Sequence, residues 1–179
     1  MLDMKELERL GLEAGFTHIG PLDRNTIRLR QEVRQMCSAN SCGAYGTRWS
    51  CPPGCGTLEE CQERLLQFQH GILVQTVGQL EDELDYDSMM EAERLHKEHF
   101  DVLYQALRPL FPRMLAVGAG ACTRCKKCTY PDAPCRFPDK AYASMEAYGM
   151  LVLEVCKANG MTYYYGPNTI AYTGCFLLE

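Results

Sequence analysis

Apolar residues recur at helical spacing in two stretches of the chain. Leu58, Cys61, Leu65 and Phe68 follow Thr57, and Phe100, Leu103 and Leu107 lead up to Pro109. Each set lays an apolar stripe along a helix that should rest on a core. Three helix starts carry the capping-box pattern, in which a short polar side chain accepts from the first amides and a glutamate three residues on reaches back: Asp3 to Glu6, Thr57 to Glu60 and Ser88 to Glu91. Weaker helical patterns cover residues 24–36 and 143–158, the second stopping at Asn159 and Gly160. Between the helices, β-branched and apolar runs predict strands over 17–20, 71–77, 114–117, 161–165 and 169–178. The alternation predicts an α/β or α+β fold with a mixed sheet flanked by helices, its last two strands pairing antiparallel across Gly166, Pro167 and Asn168. Neither a repeat nor a low-complexity linker marks a boundary, so the 179 residues read as a single domain.

Two segments escape this pattern. Residues 37–56 and 119–141 are long loops punctuated by glycine and proline, and they hold eight of the eleven cysteines, four in each. The rest of the composition, 46% hydrophobic and 23% charged, is that of an ordinary globular protein. The number of cysteines is odd and the opening MLDMKELERLGLEAG is charged and amphipathic, which predicts a cytoplasmic protein. In a reducing compartment, clustered cysteines serve as metal ligands or catalytic thiols more often than as disulfides. No run reaches the roughly 18 apolar residues of a membrane span. A net charge of -5 argues against a nucleic-acid partner, because such affinity comes from a basic surface. The charge is uneven: Glu81 to Asp101 holds nine acids against Arg94 and Lys97, read as a solvated helix face. From Cys122 to Lys140 the balance reverses, with Arg124, Lys126, Lys127, Arg136 and Lys140 against Asp132 and Asp139.

The basic segment reads Cys122-x2-Cys125-x2-Cys128-x6-Cys135. Two residues between thiolates let one tight turn place successive sulfurs on adjacent corners of a metal centre, and three in series match the C-x2-C-x2-C run of bacterial ferredoxins. The longer arm to Cys135, with Pro131, Pro134 and Pro138 around it, can return a fourth thiolate to the same cluster. Structural zinc usually splits its ligands into two separated pairs, so the spacing favours one [4Fe-4S] cluster on Cys122, Cys125, Cys128 and Cys135, with zinc as the alternative. The nearby basic side chains would offset its negative charge and raise its potential.

The first loop, MCSANSCGAYGTRWSCPPGCG, gives Cys37-x4-Cys42-x8-Cys51-x3-Cys55. Its spacings are looser, but a loop with so little apolar matter needs something else to order it, and metal binding energy at such a site is folding energy. The expectation is a second cluster on Cys37, Cys42 and Cys51, with Cys55 as a fourth ligand. If Cys55 stands off, an open iron is left for a substrate. Cys61, Cys156 and Cys175 read as small buried hydrophobes, and His96 and His99 as part of a solvated helix face.

The blocks CGAYGTRWSCPPGCG, GACTRCKKCTYPDAPCRFP and SMEAYG together resemble a prokaryotic family of predicted metal-binding proteins, domain of unknown function 2284. The likeness runs from about residue 30 to the C-terminus. It implies Cys37, Cys42, Cys51, Cys122, Cys125, Cys128 and Cys135 as metal ligands and a role in anaerobic metabolism, without implying a reaction; Cys55 is not carried by it. In SMEAYG, Glu146 or Tyr148 can be read as a proton donor near a cluster. The plainer reading makes Ser144 an N-cap, Met145 and Tyr148 core, and Gly149 a close-packing point.

Three functions follow. The first is an iron-sulfur redox protein with one or two [4Fe-4S] clusters, passing single electrons to a redox partner protein that docks near the basic loop. The second is a small iron-sulfur enzyme whose three-cysteine cluster takes a small-molecule substrate at an open iron. The third is a zinc-stabilised interaction module.

Overall fold

The structure, a computed structural model, describes residues 3–179. Its elements in chain order are α1 (Met4–Glu13), β1 (His18–Asp23), α2 (Gln31–Ser38), α3 (Leu58–Leu66), β2 (His70–Gln79), α4 (Tyr86–Leu107), β3 (Met114–Val117), α5 (Val152–Ala158) and β4 (Thr169–Leu178), with short 3-10 turns at Arg24–Thr26 and Pro138–Lys140. The strands form one sheet in the order β1-β2-β4-β3. All three ladders are antiparallel, and parallel pairing is confined to a single bridge between Gly118 and Ser144. This is the α+β arrangement of sheet and flanking helices that the alternation predicts, but the expected mixed sheet is corrected to an antiparallel one, since every ladder is antiparallel.

The two central strands are apolar on both faces, and the alternation of their side chains builds two cores. Ile72, Val74, Phe176 and Leu178 pack with Leu7 and Phe16 at the N-terminal end and with Phe100, Leu103 and Leu107 of α4. On the opposite face, Leu73, Cys175 and Leu177 pack with Cys61 and Leu65 of α3, Val152, Val155 and Cys156 of α5, and Met145, Tyr148 and Met150. The molecule is therefore three layers, and both cysteine-rich loops connect elements around the second core. No helix among the described residues is long and apolar enough to cross a membrane.

Several local expectations change. The strand expected over 161–165 is absent, because β4 lies between β2 and β3 and both its edges are filled. Instead Gln75 Nε2 donates to Thr162 O (2.9 Å) and Tyr165 Oη donates to Gln75 Oε1 (2.7 Å), pinning this segment against the sheet. The helix expected over 143–158 is present only as α5. Residues 144–149 close into turns, and Gly149 takes a left-handed φ of 84° where it meets Arg30: its carbonyl accepts from Arg30 N (2.8 Å), and a Cβ there would lie 3.0 Å from Arg30 O and 2.8 Å from Leu58 Cδ1. Ser144 Oγ accepts from Ala147 N as a turn cap, and Met145 and Tyr148 are core. The helix expected over 24–36 divides into the first 3-10 turn and α2. α4 starts earlier than expected, because Asp85 rather than Ser88 caps it, accepting from Ser88 N.

Candidate metal centre

Past β3 the chain turns at Gly118–Gly120 and enters the second cysteine loop. Cys122, Cys125, Cys128 and Cys135 all line one small cavity of about 20 Å³. The loop's own polar groups hold it in shape. Ala133 N donates to Thr129 O (3.0 Å), Thr129 Oγ1 to Pro134 O (2.9 Å), and Arg136 Nη1 to Lys127 O (3.0 Å). Arg124 lines the same cavity and is held by donating to Lys140 O at 2.7 Å and pairing with Asp101.

The first loop supplies the remaining wall. Arg48 Nη1 donates to Cys122 O (2.8 Å), Trp49 Nε1 donates to Ala133 O (3.0 Å), and Ser50 Oγ accepts from Cys122 N (3.4 Å). The Trp49 ring meets Tyr130 edge-on, 4.9 Å between centroids. Burial works to raise the Cys128 thiol, but the amides of Tyr130, Trp49 and Thr129 and the Arg48 charge outweigh it and lower its pKa. Donors aimed at a sulfur in this way stabilise the thiolate a metal requires. Arg48 is the cation that sequence reasoning missed. Its signal is modest, an arginine two residues before the Ser50–Cys51 pair.

The first loop's own thiols form a second set. Cys37 lies in the last turn of α2, Cys42 is exposed and Cys51 is buried. Burial raises the Cys37 thiol, and the charges of Glu146 and Cys42 raise it further. Cys51 is likewise raised by burial and by the charges of Cys42 and Cys37, against a hydrogen bond from Ser50 and the Arg48 charge. Thiols that raise one another in this way are close neighbours whose shared negative charge a bound cation would relieve. Glu146, exposed on its turn, stands beside this set.

Cys55 lies apart. It is buried in the core below the sheet with Cys61, Leu65 and Tyr148, its Sγ 3.8 Å from Ala147 O. Cys61 Sγ donates to Cys55 O at 3.9 Å, and the neighbouring Cys61 thiol together with burial pushes the Cys55 thiol far up. Cys61 is not the plain buried hydrophobe expected. Arg34 Nη1 lies 3.7 Å and Arg64 Nη1 4.0 Å from its sulfur. The neighbouring Cys55 thiol leads in lowering the Cys61 thiol to about 7, with the two arginines assisting against burial.

His96 is also corrected. It is fully buried under α4, its Nδ1 3.2 Å from Thr76 Oγ1, and its Nε2 has no partner. It continues the apolar stripe of Ala92, Phe100, Leu103 and Leu107, and that spacing was the signal for it. His99 is half-buried, with Nδ1 3.1 Å from the same threonine oxygen.

All eleven cysteines are free thiols. Among the described residues, no three Cys, His, Asp or Glu side chains converge closely enough to grip a single ion. The second-loop cysteines instead surround a space. Arg48, which lines that space, keeps its Nε buried without a partner, so an acceptor-rich anionic group there would satisfy it. The donor set and the orphaned N–H thus fit a polynuclear thiolate-bound group.

Soft thiolate sets on two abutting loops define a metal-binding protein by donor chemistry. The family model described as predicted metal-binding protein, DUF2284, matches residues 20–178, and the chain belongs to that family. No curated protein and no solved structure matches the chain.

Proposed function

We propose that the protein is an iron-sulfur redox protein in which the second loop holds a [4Fe-4S] cluster on Cys122, Cys125, Cys128 and Cys135, next to a second centre on Cys37, Cys42 and Cys51. The observation that carries this reading is the strap Arg48–Trp49–Ser50. It belongs to the first cysteine set, one residue from Cys51, and it bonds directly to the backbone of the second set at Cys122 and Ala133. Two centres so joined are near neighbours, which single-electron exchange between them needs.

A bound cluster supplies the one-electron chemistry. The chain's residues set its conditions. Arg48 places one positive charge between the two thiolate sets, and the amides around Cys128 stabilise its thiolate; both favour the reduced, more negative state. Trp49 and Phe137 line the cavity and limit water. Lys126 and Lys127 are exposed, and they offer an electron-transfer partner with an acidic face a place to dock.

The turning of the Cys55 thiol into the core, towards Ala147 O, favours a second reading of the first-loop centre. With three protein thiolates its fourth position is open, and a small-molecule substrate can take it. The alternative is a zinc-stabilised module, in which four of these thiolates would hold a tetrahedral zinc at about 2.3 Å.

Protein purified without oxygen should be brown and should bleach on chemical reduction. The reduced form should show two magnetically interacting paramagnetic centres. Colourless, zinc-filled protein would overturn the proposal, and two non-interacting centres would overturn the adjacency.

A further inference from the structure

A cleft of about 600 Å³ opens between α4 and the turn that leads from β3 to Cys122, the size of an ordinary small-molecule site. Its walls are held in place before any ligand arrives. Lys97 Nζ, paired with Glu93 at 2.5 Å, donates to Ala121 O at 2.8 Å and ties the turn to the helix. Gly118 N donates to Ala143 O (2.8 Å), and Met145 N donates to Gly118 O (3.0 Å). The apolar lining comes from Met90, from the small residues Gly118 to Ala121, and from Phe100 and Tyr142, whose rings meet edge-on with 4.9 Å between centroids.

The charges on this cleft cancel. Arg94 pairs with Glu91 and Glu98, Lys97 with Glu93 and Arg124 with Asp101, which leaves Asp87 and Lys140, of opposite sign. A charged ligand therefore meets no excess of the other sign. Unmet hydrogen bonding is present instead. Among the described residues, His96 Nε2 and Tyr142 Oη are buried without a partner, and both side chains belong to the lining. Thr76 Oγ1 takes up only the other ring nitrogen of His96, at 3.2 Å, and the Asp101 carboxylate is held by Arg124. Buried polar atoms left in this state are costly, and a ligand that bonds to them relieves the cost. Cys122 and Arg124 line both this cleft and the small cavity of the second-loop cysteines, so an occupant lies against the second-loop centre.

We propose that this cleft binds an uncharged, planar heteroaromatic molecule of the flavin-ring class, its apolar face against Met90 and Phe100 and its polar edge towards Tyr142 Oη and His96 Nε2. Neutrality, an apolar face and a polar edge follow from the cleft itself. The choice of a redox-active ring among such molecules rests on the iron-sulfur reading of the neighbouring centre. The Tyr142 hydroxyl donates to a ring carbonyl and gains the partner it lacks in the free protein.

The test titrates lumiflavin, the bare uncharged ring system, with the full-length, anaerobically purified protein and follows the quenching of its fluorescence. The expected result is saturable quenching at one lumiflavin per chain. Tyr142→Phe should bind about tenfold more weakly, while its urea midpoint does not fall, because the hydroxyl removed has no partner in the free protein. Ala119→Leu, which narrows the cleft, should abolish the saturable signal. Absence of saturable quenching, or unchanged affinity in Tyr142→Phe, would overturn the proposal. Flavin mononucleotide, the same ring with a charged phosphate, binding far more tightly than lumiflavin would overturn the assignment of an uncharged ligand. If Ala119→Leu does not fold, Tyr142→Phe decides. Binding is read whatever metal the loops hold, and metal and sulfide analysis reads the centres without lumiflavin, so failure of this proposal and failure of the iron-sulfur reading are separable.

Discussion

Arg48 shows how one side chain can join two sites. Its Nη1 fixes Cys122 O, its charge acts on both Cys51 and Cys128, and its Nε is left buried without a partner. Replacing Arg48 by Met keeps the bulk and removes the charge. The second-loop centre should then have a lower midpoint potential, measured by redox titration, because the more negative reduced state loses a neighbouring cation. Cys55→Ser should leave iron content unchanged, whereas Cys125→Ser should lose the second-loop centre, both read by metal analysis. His96 governs acid stability. Burial first, then the His99 and Lys97 charges, depress its pKa to about 3. The unfolded chain takes up a proton near pH 6.5 that the folded one refuses, so stability is whole above about 6.5 and falls by up to about 1.4 kcal/mol per unit as pH drops towards 3. Urea midpoints measured against pH should show this slope, and His96→Gln should flatten it.

At the scale of elements, what was legible depended on how local the cause was. Thr57 and Glu60 cap α3 reciprocally, with Glu60 N to Thr57 Oγ1 at 3.2 Å and Thr57 N to Glu60 Oε2 at 2.7 Å. That pattern is written in four consecutive residues, and the strands at 114–117 and 169–178 were equally plain from their apolar runs. Thr57→Ala should cost about 1 kcal/mol of stability by chemical denaturation, and since α3 carries Cys61 it should also loosen the contact with Cys55. The elements that were misread depend on distant partners. Residues 161–165 have strand composition, yet a strand needs an open edge, and the filling of both β4 edges involves β2, about a hundred residues upstream. Residues 143–151 have helical composition, but Arg30 and Leu58 crowd the chain at Gly149 and force the turn. Asp85 took the cap from Ser88 because it binds amides on both sides, Glu81 N and Ser88 N.

Across the whole molecule, the two cysteine loops are separated by α3, β2, α4 and β3 in the chain and meet in space. Spacing alone marked the eight cysteines and set the second-loop quartet apart as a unit. It did not reveal that Cys55 turns from the first set into the core, nor that Arg48, Trp49 and Ser50 close the second cavity. Those facts come from tertiary packing, in which the sheet draws β3 beside β4 and delivers Cys122 to the first loop. The structure also explains why the loops abut at the layer containing α3 and α5: the chain enters and leaves each loop from elements that border the second core.

Both proposed centres require that these thiolates hold iron and sulfide. Quantifying iron, acid-labile sulfide and zinc in anaerobically prepared protein tests this most directly. About eight irons with matching sulfide per chain are expected for two cubane centres, and about four if the first loop is not filled with a cubane. Zinc at one or two equivalents per chain, with neither iron nor sulfide, would contradict it.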